Sequence, residues 1–213
     1  MGLFILSAVS GTGKSTLARG LVGQRANWQV SVSHTTRAPR GGEVDGRHYH
    51  FCTKGVLAQM VEQGAFVEWA HYLEQCYGTS FKTVAHALEQ GLDLLFDIEI
   101  NGARQVKAKF PNAHSVFLLP PSFDVLKARL FGRATDDLDK IYRRLAKGLE
   151  ELKYAPRFDH LVLNESIDEA MISLQLIRDG RGNELPDQST RLSEIVADMT
   201  TFLERANRPE SMF

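Results

Sequence analysis

The first residues able to do chemistry lie in the stretch Ser7–Thr16, which reads SAVSGTGKST. It fits the phosphate-binding pattern G-x-x-x-x-G-K-[ST], except that Ala8 stands where the first glycine is expected. In that pattern, Lys14 would reach the β- and γ-phosphates of a nucleoside triphosphate, and the Ser15 hydroxyl would bind Mg²⁺. Alanine fails at position 8 only if the backbone there needs a positive φ, where a Cβ is penalised. The residues that we assign to this loop are Ala8, Val9, Ser10, Gly11, Thr12, Gly13, Lys14, Ser15 and Thr16.

The segments on either side of this loop could hold it in a working geometry. The apolar run Leu3–Leu6 is typical of a short buried strand, and from Lys14 onward apolar residues recur at helical spacing. A loop between such a strand and helix points its backbone N–H groups and the helix N-terminus at an anion. The alternative is a glycine-rich turn with a chance lysine, which this strand–loop–helix context disfavours.

A second polar stretch, Ser31–Phe51, carries Arg37 and Arg40 in a loop that is rich in proline and glycine. Two guanidinium groups at this spacing can form bidentate hydrogen bonds to a phosphate, and Tyr49 can add a hydroxyl donor. The alternative is an ordinary solvated basic loop. The residues that follow favour phosphate binding, because Glu68 and Thr79 each lie beside aromatic residues, a composition typical of a pocket that recognises a base.

The arrangement of apolar runs predicts an α/β fold with a parallel sheet and helices on both faces. Runs typical of strands are found at Leu3–Ala8, Leu92–Ile98, Ser115–Leu119 and His160–Leu163. Helices are expected at Phe81–Gln90 and Ala103–Phe110, and Ser122 is expected to cap the helix after the third strand.

Residues 31–80 interrupt this alternation with short β-like pieces at Arg47–Cys52 and Phe66–Tyr72 and one short helix at Lys54–Glu62. An insertion of this length is more plausible as a substrate-binding subdomain than as an unstructured loop. A second polar, arginine-rich piece at residues 129–144 could close as a lid.

Composition narrows the class of protein further. The 213 residues suit one domain with small insertions, and a net charge of −1 argues against nucleic-acid binding by bulk electrostatics. Cys52 and Cys76 are far apart and in no metal-ligand spacing, which predicts two reduced thiols. The N-terminal apolar run is too short for a signal peptide, and no run approaches a membrane span, so we expect a cytoplasmic protein that does not bind membranes.

Several spaced motifs resemble those of the guanylate kinases, including bacterial members that often have alanine at the first loop position. The motifs are Ser33–Arg40, Gly42–Gly46, Tyr49, Phe66–Ala70, Tyr77–Ser80, Asn101–Ala103, Pro120–Ser122, Arg129, Gly132, Arg133 and Arg144. The resemblance runs from Leu3 to about Ile177. It implies a three-layer α/β/α P-loop domain at residues 1–180, with a mixed GMP-binding insertion at about 31–80 and a small lid at about 129–144. A C-terminal helical extension would follow at residues 181–213.

The resemblance also implies an activity, the transfer of the γ-phosphoryl group of ATP to GMP or dGMP in purine nucleotide metabolism, with Mg²⁺ as cofactor. By position, the residues that would bind GMP are Ser33, Arg37, Arg40, Glu43, Tyr49, Glu68, Tyr77, Thr79, Asp97 and Glu99. Those around the transferring group would be Lys14, Arg37, Arg133 and Arg144, with Arg129 supporting ATP. The metal would be held by Ser15 and Asp97, although which of Asp97 and Glu99 serves the metal and which serves guanine stays open.

The chain departs from the family pattern at three places. Val9 replaces a proline in the loop, Glu74-Gln75-Cys76 replaces Gly-Asn-aromatic before Tyr77, and Ala134 replaces a glycine. The middle departure puts the Glu74 side chain where glycine is expected, which could alter the turn before Tyr77.

Two other functions compete with the kinase that acts on GMP. A guanylate-kinase-like interaction module would bind protein ligands, but such modules typically have a degraded phosphate loop, whereas Lys14 and Ser15 are intact. A kinase for another phosphorylated acceptor is disfavoured by Ser33, Glu68 and Thr79 together.

The last apolar stripe predicts a helix at Ser189–Arg205. Its apolar positions are Leu192, Ile195, Val196, Met199, Phe202 and Leu203. This face must be covered, either by helices of the same chain or by a second copy, and the second outcome would make a homo-oligomer.

Overall fold

A computed structural model describes residues 1–72, 74–132 and 137–206. Its strands are β1 (Leu3–Ala8), β2 (Trp28–Val30), β3 (His34–Thr35), β4 (His50–Phe51), β5 (Phe66–Tyr72), β6 (Gln75–Ser80), β7 (Asp93–Asp97), β8 (His114–Leu119) and β9 (His160–Leu163). Its α-helices are α1 (Lys14–Gln24), α2 (Lys54–Glu62), α3 (Phe81–Glu89), α4 (Ile100–Lys109), α5 (Phe123–Phe131), α6 (Leu138–Tyr154), α7 (Ile167–Arg178) and α8 (Ser189–Ala206). Short 3-10 helices lie at Ala155–Arg157 and Gly182–Glu184.

The strands form two sheets. The larger has the order β2-β7-β1-β8-β9, with β1 and β2 both parallel to β7 and β8 parallel to β9. The smaller has the order β4-β3-β6-β5 and is mixed, since β3 and β4 are parallel while β6 is antiparallel to β3 and to β5. The predicted α/β class and parallel sheet are therefore confirmed, and a mixed sheet falls within the predicted insertion.

The chain divides into two compact units that interleave in sequence. The first contains residues 1–7 and 18–115, and the second contains residues 8–17 and 116–213. In the first unit, β7 is buried at Leu94, Leu95 and Phe96, and Phe4 packs against Trp28 with ring centroids 4.5 Å apart. The small mixed sheet belongs to this unit.

In the second unit, α8 packs against α5 and α6 of the same chain. Leu192, Ile195 and Met199 are buried, and the Phe202 ring stacks on Tyr142 at a centroid distance of 6.0 Å and contacts Phe123 at 5.4 Å. The predicted helix is confirmed, and helices of its own chain cover its apolar face. That face therefore gives no support to the homo-oligomer.

Most predicted elements lie where the sequence placed them, and two differ for local reasons. The helix expected from Ala103 begins at Ile100, because extended Glu99 is its N-cap and the Ala103 N–H already bonds to the Glu99 carbonyl. The β-like piece at Arg47–Cys52 contains only the two-residue strand β4, because the chain turns just before it, with Gly46 at φ +72° and the N–H groups of Arg47 and His48 bonded to the Val44 carbonyl. Ser122 caps α5 as expected, accepting from the Val125 N–H.

Across the described ranges, helices with the length and apolar character needed to cross a membrane were not found.

Candidate active site

The phosphate-binding loop has the backbone that its sequence predicts. Gly11 and Gly13 adopt φ values of +97° and +106°, in the region that favours glycine, and the Gly13 carbonyl accepts the Leu17 N–H at the start of α1. Ala8, by contrast, is the last residue of β1 and so has strand backbone. A strand backbone has negative φ, so the Cβ of Ala8 causes no strain and alanine is compatible with this position.

Two side chains of the second unit hold this loop from outside the motif. Asn164, which directly follows β9 and is 3% exposed, donates from Nδ2 to the Thr12 carbonyl at 2.7 Å. Arg129, in the last turn of α5, donates to the same carbonyl at 2.9 Å. The contact is tight, since a Cβ on Gly13 would lie 2.8 Å from Asn164 Nδ2. Sequence reasoning placed Arg129 near ATP but missed Asn164, whose only signal was a lone amide after a buried strand.

The other residues assigned to ATP and to the transferred group lie on α1, on α6 and outside the described residues. Lys14 is the first residue of α1, and the exposed Ser15 follows it. Arg144 lies on α6 and is partly exposed. Arg133 and Ala134 fall outside the described residues, so the assignment of Arg133 to the lid stays a prediction.

The first unit brings together the residues assigned to the GMP phosphate. Arg37 donates to Glu43 Oε1 at 2.8 Å, and its guanidinium carbon lies 5.3 Å from the centroid of the Tyr49 ring. The Tyr49 and Tyr77 rings meet edge to face at 6.1 Å, despite the unusual residues before Tyr77. Arg40 contributes its backbone N–H to Glu43 Oε2 at 2.7 Å, while its side chain is exposed.

Glu43 therefore acts here as the partner of Arg37. The hydrogen bond from Arg37 and the Arg40 backbone N–H together lower the pKa of Glu43 from 4.5 to about 2. The bond to Glu43 also raises the pKa of Arg37, and that of Tyr49 is raised by burial and by nearby Asp97. The cluster thus keeps Arg37 charged and aligned, with two phenolic hydroxyls beside it.

The residues assigned to guanine form a buried chain of hydrogen bonds. Thr79 Oγ1 donates to Glu68 Oε1 at 2.7 Å, and Ser33 Oγ lies 2.9 Å from Thr79 Oγ1. Since the Thr79 proton is used on Glu68, the Ser33 hydroxyl is the donor in the second bond. Glu68 is 3% exposed, and burial raises its pKa, with the charge of Glu99 acting in the same direction.

The second carboxylate oxygen of Glu68 faces helix α4. A Cβ built on Gly102 would lie 2.9 Å from Glu68 Oε2, so glycine is the residue that leaves this oxygen room. A buried carboxylate with one oxygen held by a hydroxyl keeps acceptor capacity for a ligand that carries adjacent N–H donors.

The two residues assigned to the metal, Ser15 and Asp97, remain a prediction. Within the described ranges, no group of three or more His, Cys, Asp or Glu residues could hold a metal ion. Ser15 belongs to the second unit and Asp97, the last residue of β7, to the first. A hydroxyl and a carboxylate are oxygen donors of the kind that Mg²⁺ takes, and Mg²⁺ usually keeps several waters and binds through few protein oxygens plus substrate phosphates.

Comparison with known proteins places these features in a family. The family model "Guanylate kinase" matches residues 1–179. A guanylate kinase from Shewanella sp. (strain MR-7) is 44% identical over 200 residues, covering 92% of this chain and 97% of the relative. One from Neisseria gonorrhoeae is 45% identical over 168 residues, covering 79% and 82%. A crystal structure of guanylate kinase from Anaplasma phagocytophilum superimposes with a TM-score of 0.67 at 26% identity, covering 85% and 86%.

Proposed function

Because this chain belongs to the guanylate kinase family, we propose that it transfers the γ-phosphoryl group of ATP to GMP, giving ADP and GDP. The observation that carries the proposal is the buried carboxylate of Glu68, held on one oxygen by Thr79, which in turn accepts from Ser33. The Glu68 carboxylate can accept the hydrogen bonds that the N–H groups of guanine would donate.

Base selection follows from hydrogen-bond complementarity. Guanine presents adjacent N1–H and N2–H donors that one carboxylate can accept, whereas adenine presents an acceptor at N1, which a carboxylate repels. A wrong base leaves Glu68 buried and without its ligand bonds, and such unpaired buried groups discriminate strongly. We assign Glu99 to the same pocket, because it is the N-cap of α4, the helix whose Gly102 lies against Glu68 Oε2.

The acceptor phosphate needs positioning and positive charge rather than proton removal. Its second pKa is about 6, so it is largely ionised at neutral pH, and no general base is required. Arg37, oriented by Glu43 and flanked by Tyr49 and Tyr77, is the group we assign to hold it, with exposed Arg40 joining when the ligand binds. Phosphoryl transfer then depends on neutralising charge around the moving group.

On the donor side, we assign the backbone N–H groups of the loop and Lys14 to the ATP phosphates, with Arg133 and Arg144 stabilising the transferred group. Asn164 and Arg129 keep the loop in shape through the Thr12 carbonyl. Ser15 and Asp97 are the groups we assign to Mg²⁺, which supplies charge neutralisation at the phosphate oxygens. Cys52 and Cys76 are both free thiols, which suits the reducing cytoplasm where we expect the enzyme to work.

The test is a coupled assay of ADP release with ATP, Mg²⁺ and a panel of GMP, dGMP, IMP, AMP, CMP and UMP. We expect GMP to be used best and dGMP less well, and Lys14→Met to serve as the inactive control. Turnover of AMP, CMP or UMP as efficient as that of GMP would refute the base assignment. No turnover of any nucleotide would favour the competing interaction module.

A further inference from the structure

We propose that Gln105 and Lys109 of α4 are positioning residues for guanine specificity, which act by fixing the backbone of β5 on both sides of Glu68. The inference rests on the proposed function, because it takes Glu68 to be the group that contacts guanine. Neither side chain is among the residues assigned to GMP, to ATP or to the metal.

Strand β5 is an edge strand, since the small sheet has the order β4-β3-β6-β5. Its pairing with β6 shifts register between Phe66, opposite Ser80, and Glu68, opposite Thr79. A bulge of this kind redirects side chains and interrupts the regular bonding of the strand. The free edge of β5 beside Glu68 therefore needs other hydrogen-bond partners if its backbone is to stay in one position.

Helix α4 supplies those partners with two side chains. Gln105 accepts the Trp69 N–H at 3.2 Å through Oε1 and donates to the Trp69 carbonyl at 2.8 Å through Nε2. Lys109 Nζ donates to the carbonyls of Phe66 at 3.0 Å and Val67 at 2.6 Å. The residue after Glu68 and the two residues before it are thus held by one helix.

The same face of α4 also fits against the Glu68 carboxylate. Gly102, Gln105 and Lys109 are spaced i, i+3, i+7, so they lie on one side of the helix. A Cβ on Gly102 would come within 2.9 Å of Glu68 Oε2. The helix that anchors the strand therefore also packs against the Glu68 carboxylate. A shift of β5 would change the position of that carboxylate relative to the helix.

Edge protection alone does not explain this arrangement. A strand edge is usually shielded by charge, by proline or by a covering segment, without bonds to particular peptide groups. Here the bonds fall on the residues that flank Glu68. The positive charge of Lys109 also lowers the pKa of Glu68, against the larger effect of burial, which raises it. The anchoring therefore serves both the position of the carboxylate and its ionisation.

The first experiment compares Gln105→Met and Lys109→Met with Arg104→Met. Methionine keeps the length and helix propensity of the side chain but removes its hydrogen bonds, and Arg104 is an exposed residue of the same helix. For both test variants we expect KM for GMP to rise about fivefold to tenfold and kcat to change less than about twofold. The ratio of kcat/KM for GMP over IMP, which lacks the N2–H donors but keeps N1–H, should also fall, by a smaller factor, and KM for ATP should be unchanged.

The second experiment asks whether Gln105 acts through Glu68. If it does, adding Gln105→Met to Glu68→Gln should worsen kcat/KM for GMP by less than about twofold, because the contact it positions is already impaired. Equal losses in both backgrounds, or an unchanged ratio of GMP over IMP in the single variants, would overturn the inference. If Gln105→Met does not fold, Gln105→Glu, which keeps an acceptor for Trp69, replaces it under the same criteria.

The two proposals fail in different ways. A Glu68→Gln variant that uses GMP normally would remove Glu68 from the base site and so refute the proposed function. A strongly impaired Glu68→Gln variant together with unaffected Gln105→Met and Lys109→Met variants would leave the function standing and refute only the positioning role.

Discussion

In the phosphate-binding loop, the groups offered to a ligand belong mainly to the backbone, whereas in the Glu68 pocket they belong to side chains. The loop depends on Gly11 and Gly13 at positive φ, a conformation that residues with a Cβ rarely adopt. The pocket depends on Glu68, Thr79 and Ser33, joined by hydrogen bonds of 2.7 and 2.9 Å.

The two regions also differ in how they are supported. The loop is held through one carbonyl, that of Thr12, by Asn164 and Arg129. The pocket is held through an edge strand and a helix face, and it contains a carboxylate that burial makes harder to ionise. Burying the Glu68 carboxylate without a ligand destabilises the folded state, whereas the backbone N–H groups of the loop carry no charge that burial would penalise.

The largest effect is expected from Glu68→Gln. The amide presents donors where guanine also has donors. The fall in kcat/KM for GMP should correspond to a loss of about 2–4 kcal/mol of transition-state stabilisation, as expected when a hydrogen bond to a charged group is left unpaired. KM for ATP should stay the same, and Glu89→Gln, at the exposed end of α3, is the matched control. Steady-state kinetics with GMP varied at saturating ATP measure this. A normal value would mean that the pocket does not read the base through this carboxylate.

Gly13→Ala should break the loop, while Ala8→Gly should leave it intact. Position 13 has φ +106°, and its new Cβ would lie 2.8 Å from Asn164 Nδ2, so kcat/KM for ATP should fall about 10²-fold. Position 8 has strand backbone, so restoring the glycine of the usual pattern should change the rate by less than about twofold. A large gain from Ala8→Gly would show that the loop is strained at its first residue.

Asn164→Ala should have a smaller effect on the same half of the reaction. The substitution leaves the buried Thr12 carbonyl with Arg129 as a remaining partner. We therefore expect the fall in kcat/KM for ATP to correspond to about 1–2 kcal/mol of transition-state stabilisation. Binding of GMP measured by calorimetry should be unchanged, and Asn183→Ala, at an exposed position, serves as control. Reduced GMP affinity with normal use of ATP would contradict the role assigned to Asn164.

The smallest effect concerns stability and pH. Burial raises the pKa of Glu68 above its ordinary value of 4.5, so as the pH rises through this window the folded state keeps a proton that the unfolded state has lost. The unfolding free energy contributed by Glu68 therefore falls as pH rises. Glu68→Gln removes this contribution, so its Tm without nucleotide should exceed that of wild type by about 2–4 °C at about pH 8, and by less at about pH 5. Thermal unfolding at both pH values checks this, and a constant difference would place the pKa of Glu68 near its ordinary value.

How much could be predicted from the sequence differs between the two regions. The loop, its strand and its helix were predicted because glycine spacing and apolar periodicity act over a few residues. Lys54–Glu62 was predicted as a helix and is one, with Thr53 accepting the Val56 N–H as its cap. The β-like piece at Arg47–Cys52 is a strand only at His50–Phe51, because its composition gives no sign of the turn in which Arg47 and His48 bond to the Val44 carbonyl.

The sequence by itself determined the phosphate loop, the alternation of strands and helices, the Ser122 cap of α5 and, through its motifs, the family of this chain. The tertiary structure decided what supports those motifs. Asn164 reaches the Thr12 carbonyl across 152 positions, and Gln105 reaches Trp69 across 36. It also placed α8 on its own chain and buried Glu68 to 3% exposure. Backbone conformation is fixed by neighbouring residues, but the partner of a side chain and the burial of a charge depend on which distant elements pack together.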